Sequence, residues 1–242
     1  MGTHSPTTVE IVAHRGYAAL FPENTMLAFQ HALKLGAHTI ELDIHHSKEG
    51  VPVVIHDDSL NRTTNLTGLI RTLSLQDIRR ADAGIKFSPQ YAGCRVPFLE
   101  EALDLCSGRS RLQLELKENI NETEGKALLH LLKMHDMIEH TMIISFAISN
   151  LKLMRELHPS IELGYLMDRR IPLETVQELG HATCCFHQSL ALKQPKIVKE
   201  AQEMGLDTAA WTIRDEQTAK KLNAIGIRRL TSDIPLKEQL FV

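Results

Sequence analysis

A chain of 242 residues with 43% hydrophobic and 24% charged residues is long enough to bury a sizeable core and has an ordinary globular composition. Its formal charge of −3 leaves no footprint for nucleic acid, so any phosphate it handles must be met by local positive charge. No run of about 18 apolar residues and no basic-then-apolar N-terminus occurs, which predicts a cytoplasmic protein without stable membrane insertion. Cys94, Cys106, Cys184 and Cys185 lack metal-ligand spacing and are expected as free, mostly packed thiols.

In chain order, the apolar run 9–13 reads as a strand that delivers His14-Arg15-Gly16 at its end. Residues 23–35 carry Met26, Leu27, Phe29, Ala32, Leu33 and Leu35 at helical spacing, closed by Gly36. Glu23 would sit near the start of that helix, where its dipole favours an acid, and would orient Arg15 or His14. A strand at 39–44 follows, holding Glu41 and Asp43, and then the segment Val53-Val54-Ile55-His56-Asp57. The interval from Asp57 to Pro97 is too long for an ordinary connection. It is read as a compact insertion, 58–97, walling one side of the site with a short helix at 73–80, the alternative being a flexible lid. Further strands at 112–116, 142–145, 161–166, 183–186, 208–211 and 229–231 bring the count to eight. Helices at 100–106, 122–135, 149–157, 173–179, 195–204, 215–224 and 237–241 alternate with them, which argues for a parallel sheet in one domain spanning 1–242. An open doubly wound sheet shares this signature, but the glycine-rich dinucleotide fingerprint is absent.

The chemistry gathers at strand ends. Residues two apart on a strand share a face, so Glu41 with Asp43, and Glu115 with Lys117, form same-side pairs. Each acid alone reads equally well as a solvated or ion-paired strand end. Three convergent carboxylates, however, repel unless a cation compensates them, and an all-oxygen set suits one divalent ion, Mg²⁺ or Ca²⁺. His14 and His56 form the expected acid/base pair, one accepting a proton and the other donating, without the sequence deciding which. Arg15 offers a planar fork for two phosphate oxygens and Lys117 a point charge, both as substrate-binding groups. A salt bridge from Arg15 to Glu23 is the plainer expectation and is compatible with phosphate contact. Phe146 and Trp211 are candidate apolar walls for an uncharged portion of the substrate, core packing being the alternative.

These residues resemble the glycerophosphodiester phosphodiesterases, through His14-Arg15-Gly16, Pro22-Glu23-Asn24-Thr25, Glu41-Leu42-Asp43 and the run from Ile55-His56-Asp57 to Asn61-Arg62-Thr63-Thr64. Sparser matches follow at Glu115-Leu116-Lys117, Ser145-Phe146, Trp211-Thr212 and Thr231-Ser232-Asp233-Ile234-Pro235. The resemblance implies a TIM barrel with a small insertion after the second strand, a divalent metal, and cleavage of glycerophosphodiesters to glycerol 3-phosphate and an alcohol. It also implies attack by the glycerol 2-hydroxyl through a cyclic phosphate, direct attack by water being the alternative. Two segments depart from the family pattern. Lys48-Glu49-Gly50 stands where an Asp before Gly is frequent, and Arg228-Arg229-Leu230, near the last strand, is expected to bear on headgroup contacts.

Three other readings compete. A lysophospholipase D-type activity on the same scaffold would favour an apolar entrance, but no amphipathic membrane-binding helix stands out. A Schiff-base aldolase using Lys117 leaves the three acids and both histidines unexplained. A phosphate-binding module with a decayed site conflicts with the retention of every expected acid and both histidines. The resemblance implies a small-molecule glycerophosphodiester as the partner, with homo-oligomerisation left open.

Overall fold

Strand segments such as Ile11-Val12-Ala13 and Leu112-Gln113-Leu114 are buried on both faces, the condition of parallel strands covered by helices outside and packed side chains within. The computed structural model describes residues 9–241. The reading of residues 1–8 as free of a signal segment lies outside them.

Eight parallel strands close into a barrel: β1 (Glu10–His14), β2 (Thr39–His46), β4 (Arg111–Leu116), β5 (Thr141–Ser145), β6 (Glu162–Met167), β7 (Ala182–His187), β8 (Asp207–Ile213) and β9 (Arg229–Ser232). Their order is β1-β9-β8-β7-β6-β5-β4-β2, and β1 returns to β2 through Val12↔Thr39, Ala13↔Ile40 and His14↔Glu41. Closure leaves the barrel without an edge, and the protein is a TIM barrel. The short strand β3 (Pro52–Val54) was not among the strands read from sequence; it pairs antiparallel with the end of β2, at Ile44↔Val54 and His46↔Pro52. Lys48-Glu49-Gly50 makes the turn of that hairpin, with Gly50 at φ +78°.

The helices α1 (Met26–Lys34), α2 (Leu75–Arg79), α3 (Leu99–Cys106), α4 (Glu122–Met134), α5 (Ile148–Leu157), α6 (Glu174–Gln177), α7 (Gln188–Lys193), α8 (Pro195–Glu203) and α9 (Glu216–Ala224) complete the described elements, with short 3₁₀ turns between some of them. Helix α1 starts at Met26, not at residue 23, because the Thr25 hydroxyl caps it by accepting from the Ala28 N–H at 3.2 Å. Glu23 therefore lies in the preceding loop. Helix α7 was not among the helices read from the sequence, and the predicted last helix is a 3₁₀ turn, Glu238–Phe241. Between β3 and α3, Val53, Ile55, Leu60, Ile70, Ile78 and Val96 bury one another in a separate small core. All four cysteines are free, and three are buried.

At the N-terminal floor of the barrel, the first residues of four strands form a ring of ion pairs. Arg229 Nε donates to Glu10 at 2.7 Å and its NH1 to Glu162 at 2.8 Å, while Arg111 pairs with Glu162 and lies 3.9 Å from Glu10. Arg229, expected near the substrate, is instead a structural group at the opposite end. Burial works to raise the Glu10 carboxyl, but Arg229 and the Thr39 hydroxyl outweigh it and hold the group below the usual range.

Candidate active site

At the C-terminal face, three of the first four residues after Ala13 lie at or beyond the turn of the left-handed region: Arg15 at φ +51°, Gly16 at +80° and Tyr17 at +63°. Gly16 is required twice over, because a Cβ there would also come within 2.7 Å of the Ala28 backbone. This bend turns the Arg15 N–H onto Glu41 Oε2 at 2.9 Å. It also brings the Arg15 side chain to Glu23 (NH1–Oε1, 3.0 Å) and to Asp43 (Nε–Oδ2, 3.1 Å).

Glu41, Asp43 and Glu115 converge as β2 and β4 pair in register, with Asp43 directly across from Glu115. One oxygen from each lies within 4.8 Å of the others, and all three residues are buried. Burial and the neighbouring Asp43 push Glu41 well above its usual range. The same two causes outweigh the Lys117 ammonium and lift Glu115 to about 7, although Lys117 Nζ sits 2.7 Å away. Burial would also raise Asp43, but Arg15 and Lys117 overcome it and hold the group at about 2. Asn24 donates to Asp43 Oδ2 at 2.8 Å, whereas Oδ1 has no hydrogen-bond partner. An orphaned buried oxygen among two acids that resist ionisation fits a hard cation.

The histidines flank this cluster. His14 Nδ1 pairs with Asp233 Oδ1 at 2.5 Å, and Arg214 Nε donates to the other Asp233 oxygen at 2.8 Å. His56 follows β3, not a barrel strand, and its Nδ1 faces Asp57 Oδ1 at 2.7 Å. Its Nε2 lies 3.1 Å from Lys117 Nζ, so these partners assign an Nδ1–H tautomer whose Nε2 accepts from the ammonium. Burial lowers the His56 pKa, the nearby Arg15 and Lys117 charges adding to the effect against the pull of Asp43 and Asp57. Lys117 moves the opposite way. Burial would lower it, but Glu115 and Asp43 hold the amine charged, the wrong state for a Schiff-base nucleophile.

His14, Arg15, Glu41, His56, Glu115, Lys117, Phe146 and Trp211 all line one cavity of about 180 Å³; Asp43, wholly buried, lies behind its wall. Phe146 packs edge-on against Trp211 with ring centroids 5.5 Å apart, and Trp211 Nε1 donates to the Cys185 carbonyl at 2.8 Å. Trp211 is half-buried and Phe146 is exposed, so together they make an aromatic rim. The sequence reading assigned no role to Asn24, Asp57, Arg62 or Asp233. Asp57 adjoins His56 and was open to recognition, whereas Asp233 stands 219 positions from His14 and only closure of the barrel joins them.

A TIM barrel carrying acids, histidines and cations around one pocket at its C-terminal face is an enzyme architecture that handles an anionic substrate. Residues 14–237 match the model of the glycerophosphoryl diester phosphodiesterase family. A glycerophosphodiester phosphodiesterase from Caldanaerobacter subterraneus is 31% identical over 228 residues, covering 93% of this chain and 94% of the relative. One from Bacillus altitudinis is 34% identical over 243 residues, covering 93% and 95%. Among solved structures, an Oleispira antarctica phosphodiesterase in complex with the product sn-glycerol-3-phosphate superposes with a TM-score of 0.88 at 31% identity, covering 96% of this chain and 95% of that one. The chain belongs to the glycerophosphoryl diester phosphodiesterase family and is a phosphodiesterase of glycerophosphodiesters.

Proposed function

We propose that this enzyme hydrolyses glycerophosphodiesters to glycerol 3-phosphate and an alcohol, with His14 and His56 as acid and base and one divalent ion, Mg²⁺ or Ca²⁺, held by Glu41, Asp43 and Glu115. The observation that carries this reading is the placement of those three carboxylates, within 4.8 Å of one another, beside a pocket lined by both histidines. Bound there, the ion supplies Lewis-acid stabilisation of negative charge on the reacting oxygens.

The chain's own groups divide the remaining work. Arg15 and Lys117 bind the phosphoryl oxygens and steady the charge that grows on them. Turning Lys117 towards phosphate frees His56 Nε2 to accept the proton of the attacking hydroxyl, and the lowered basicity of this ring keeps it unprotonated near neutrality. His14, with its Nδ1 fixed by the Asp233 carboxylate, donates from Nε2 to the departing alkoxide. If the glycerol 2-hydroxyl attacks, a cyclic phosphate forms before water opens it. A 2-deoxy substrate tests that route, because rapid hydrolysis of the analogue would reject it.

Direct assay for glycerol 3-phosphate release from glycerophosphocholine, with and without chelator, tests the whole reading. Release of choline phosphate, or full turnover without metal, would overturn it. The exposed Phe146 at the rim favours a second substrate class, lysophospholipids, whose acyl chain it would contact. Release of lysophosphatidic acid in the same assay identifies that activity.

A further inference from the structure

Each of the two histidines is backed by an aspartate, and each aspartate by an arginine, but the two arms end differently. Arg214 reaches Asp233 through Nε alone, from a side chain 68% exposed. Arg62 instead spends its whole fork on two carboxylates. Its Nε and NH2 donate to the two oxygens of Asp57 at 2.8 and 2.9 Å. Its NH1 and NH2 donate to the two oxygens of Glu23 at 2.9 and 2.8 Å. Asp57 faces His56 Nδ1, and Glu23 accepts from Arg15 NH1 at 3.0 Å. One guanidinium therefore bridges the loop after β3 and the loop after β1, although Arg62 itself is absent from the pocket lining.

We infer that Arg62 is a positioning residue that locks the His56 ring and the Arg15 guanidinium into one geometry across the pocket. The inference rests on the proposed roles of those two groups. Only a planar fork can engage two carboxylates with two oxygens each; an ammonium holds the charge but not the angles. Without it, Asp57 and Glu23 lose the cation between them and each is free to turn, taking an imidazole in one case and a phosphate-binding arm in the other. Arg62 also holds both acids below their usual range: it is the main cause at Asp57, while at Glu23 it offsets the opposing effect of burial. A merely structural Arg62 would tie residues 58–97 to the barrel and affect stability alone.

The test uses the metal-loaded full chain with glycerophosphocholine as substrate. Arg62→Ala should lower kcat and raise KM together, on the order of tenfold or more in kcat/KM, given the usual strength of charged hydrogen bonds. Arg62→Lys should recover melting temperature but not kcat/KM. Arg79→Ala, which breaks a comparable 2.8 Å pair to Glu101 outside the pocket, should leave both kinetic constants unchanged. Glu23→Gln and Asp57→Asn supply the decisive cycle. Their effects should be coupled by roughly threefold or more when Arg62 is present and independent when it is Ala. Native kinetics in Arg62→Lys, or equal coupling in both backgrounds, would overturn the inference while leaving the proposed reaction standing. Full activity in His56→Ala would instead remove the reaction scheme itself.

Discussion

The two ends of this barrel hold carboxylates in two different settings, half-buried and ion-paired at the floor, buried and crowded at the mouth. At the floor, Glu10 and Glu162 meet Arg229 and Arg111, two acids against two guanidiniums in a ring. At the mouth, Glu41, Asp43 and Glu115 meet Arg15 and Lys117, and Arg15 is shared with Glu23. Arg229 and Arg111 neutralise Glu10 and Glu162 from within, and Glu10 ionises more readily than a free carboxyl, while Asp207 nearby is raised, mainly by burial. At the mouth two of three acids resist ionisation. Compensated acids are costly to unpair, whereas uncompensated ones persist where another cation or a substrate completes them.

Metal removal should break the comparison most sharply. Chelation is expected to abolish turnover, and Mg²⁺ or Ca²⁺ to restore it, measured as glycerol 3-phosphate release. Next, His14→Ala and His56→Ala should each lower kcat by about 10²–10⁴-fold with little change in melting temperature. Arg15→Lys keeps the charge but loses the fork, so kcat/KM should fall by on the order of tenfold or more.

Stability should separate the two ends in the reverse sense. Glu10→Gln leaves Arg229 short of a partner and should cost about 3 kcal/mol in denaturant unfolding with kcat unchanged. Glu115→Gln should weaken metal binding yet leave the metal-free fold as stable as before, since it removes a charge that burial and Asp43 oppose. A collapse of the Glu115→Gln fold would make that acid a structural group.

The smallest effect lies in pH dependence, where the signs oppose. Glu10 is lowered in the folded state, so its stabilisation is present above the unfolded carboxyl pKa and is lost as pH falls through the folded one. Glu115 is raised from 4.5 to about 7, so the stability it lends the metal-free protein is complete below 4.5 and is lost as pH rises to about 7. The gain in melting temperature on adding metal should therefore grow across that interval, and a flat gain would argue against Glu115 as a ligand.

Much of this was legible in the sequence because parallel barrel strands are continuous apolar runs, and the acids interrupt them at intervals of two. The eight strands and the convergence of Glu41, Asp43 and Glu115 follow from that pattern. Two short elements, β3 and α7, were not legible, although α2 with five residues and α6 with four were. β3 has three residues, and only Gln194 separates the end of α7 from the start of α8 at Pro195, so no polar break sets α7 apart; Glu23 lies outside its helix because Thr25 is the cap. Long-range partners were invisible for another reason: nothing in local spacing brings Asp233 to His14 or Arg62 to Glu23.

The ring of Glu10, Arg229, Glu162 and Arg111 lies across the packed barrel interior from the cavity, so among the described residues the site opens at the C-terminal mouth. Under the proposed reaction, substrate would enter and both fragments of the cleaved diester would leave past Phe146 and Trp211. A product still in that cavity would occupy the space of incoming substrate, so accumulating product should act as a brake on turnover without any separate regulatory site.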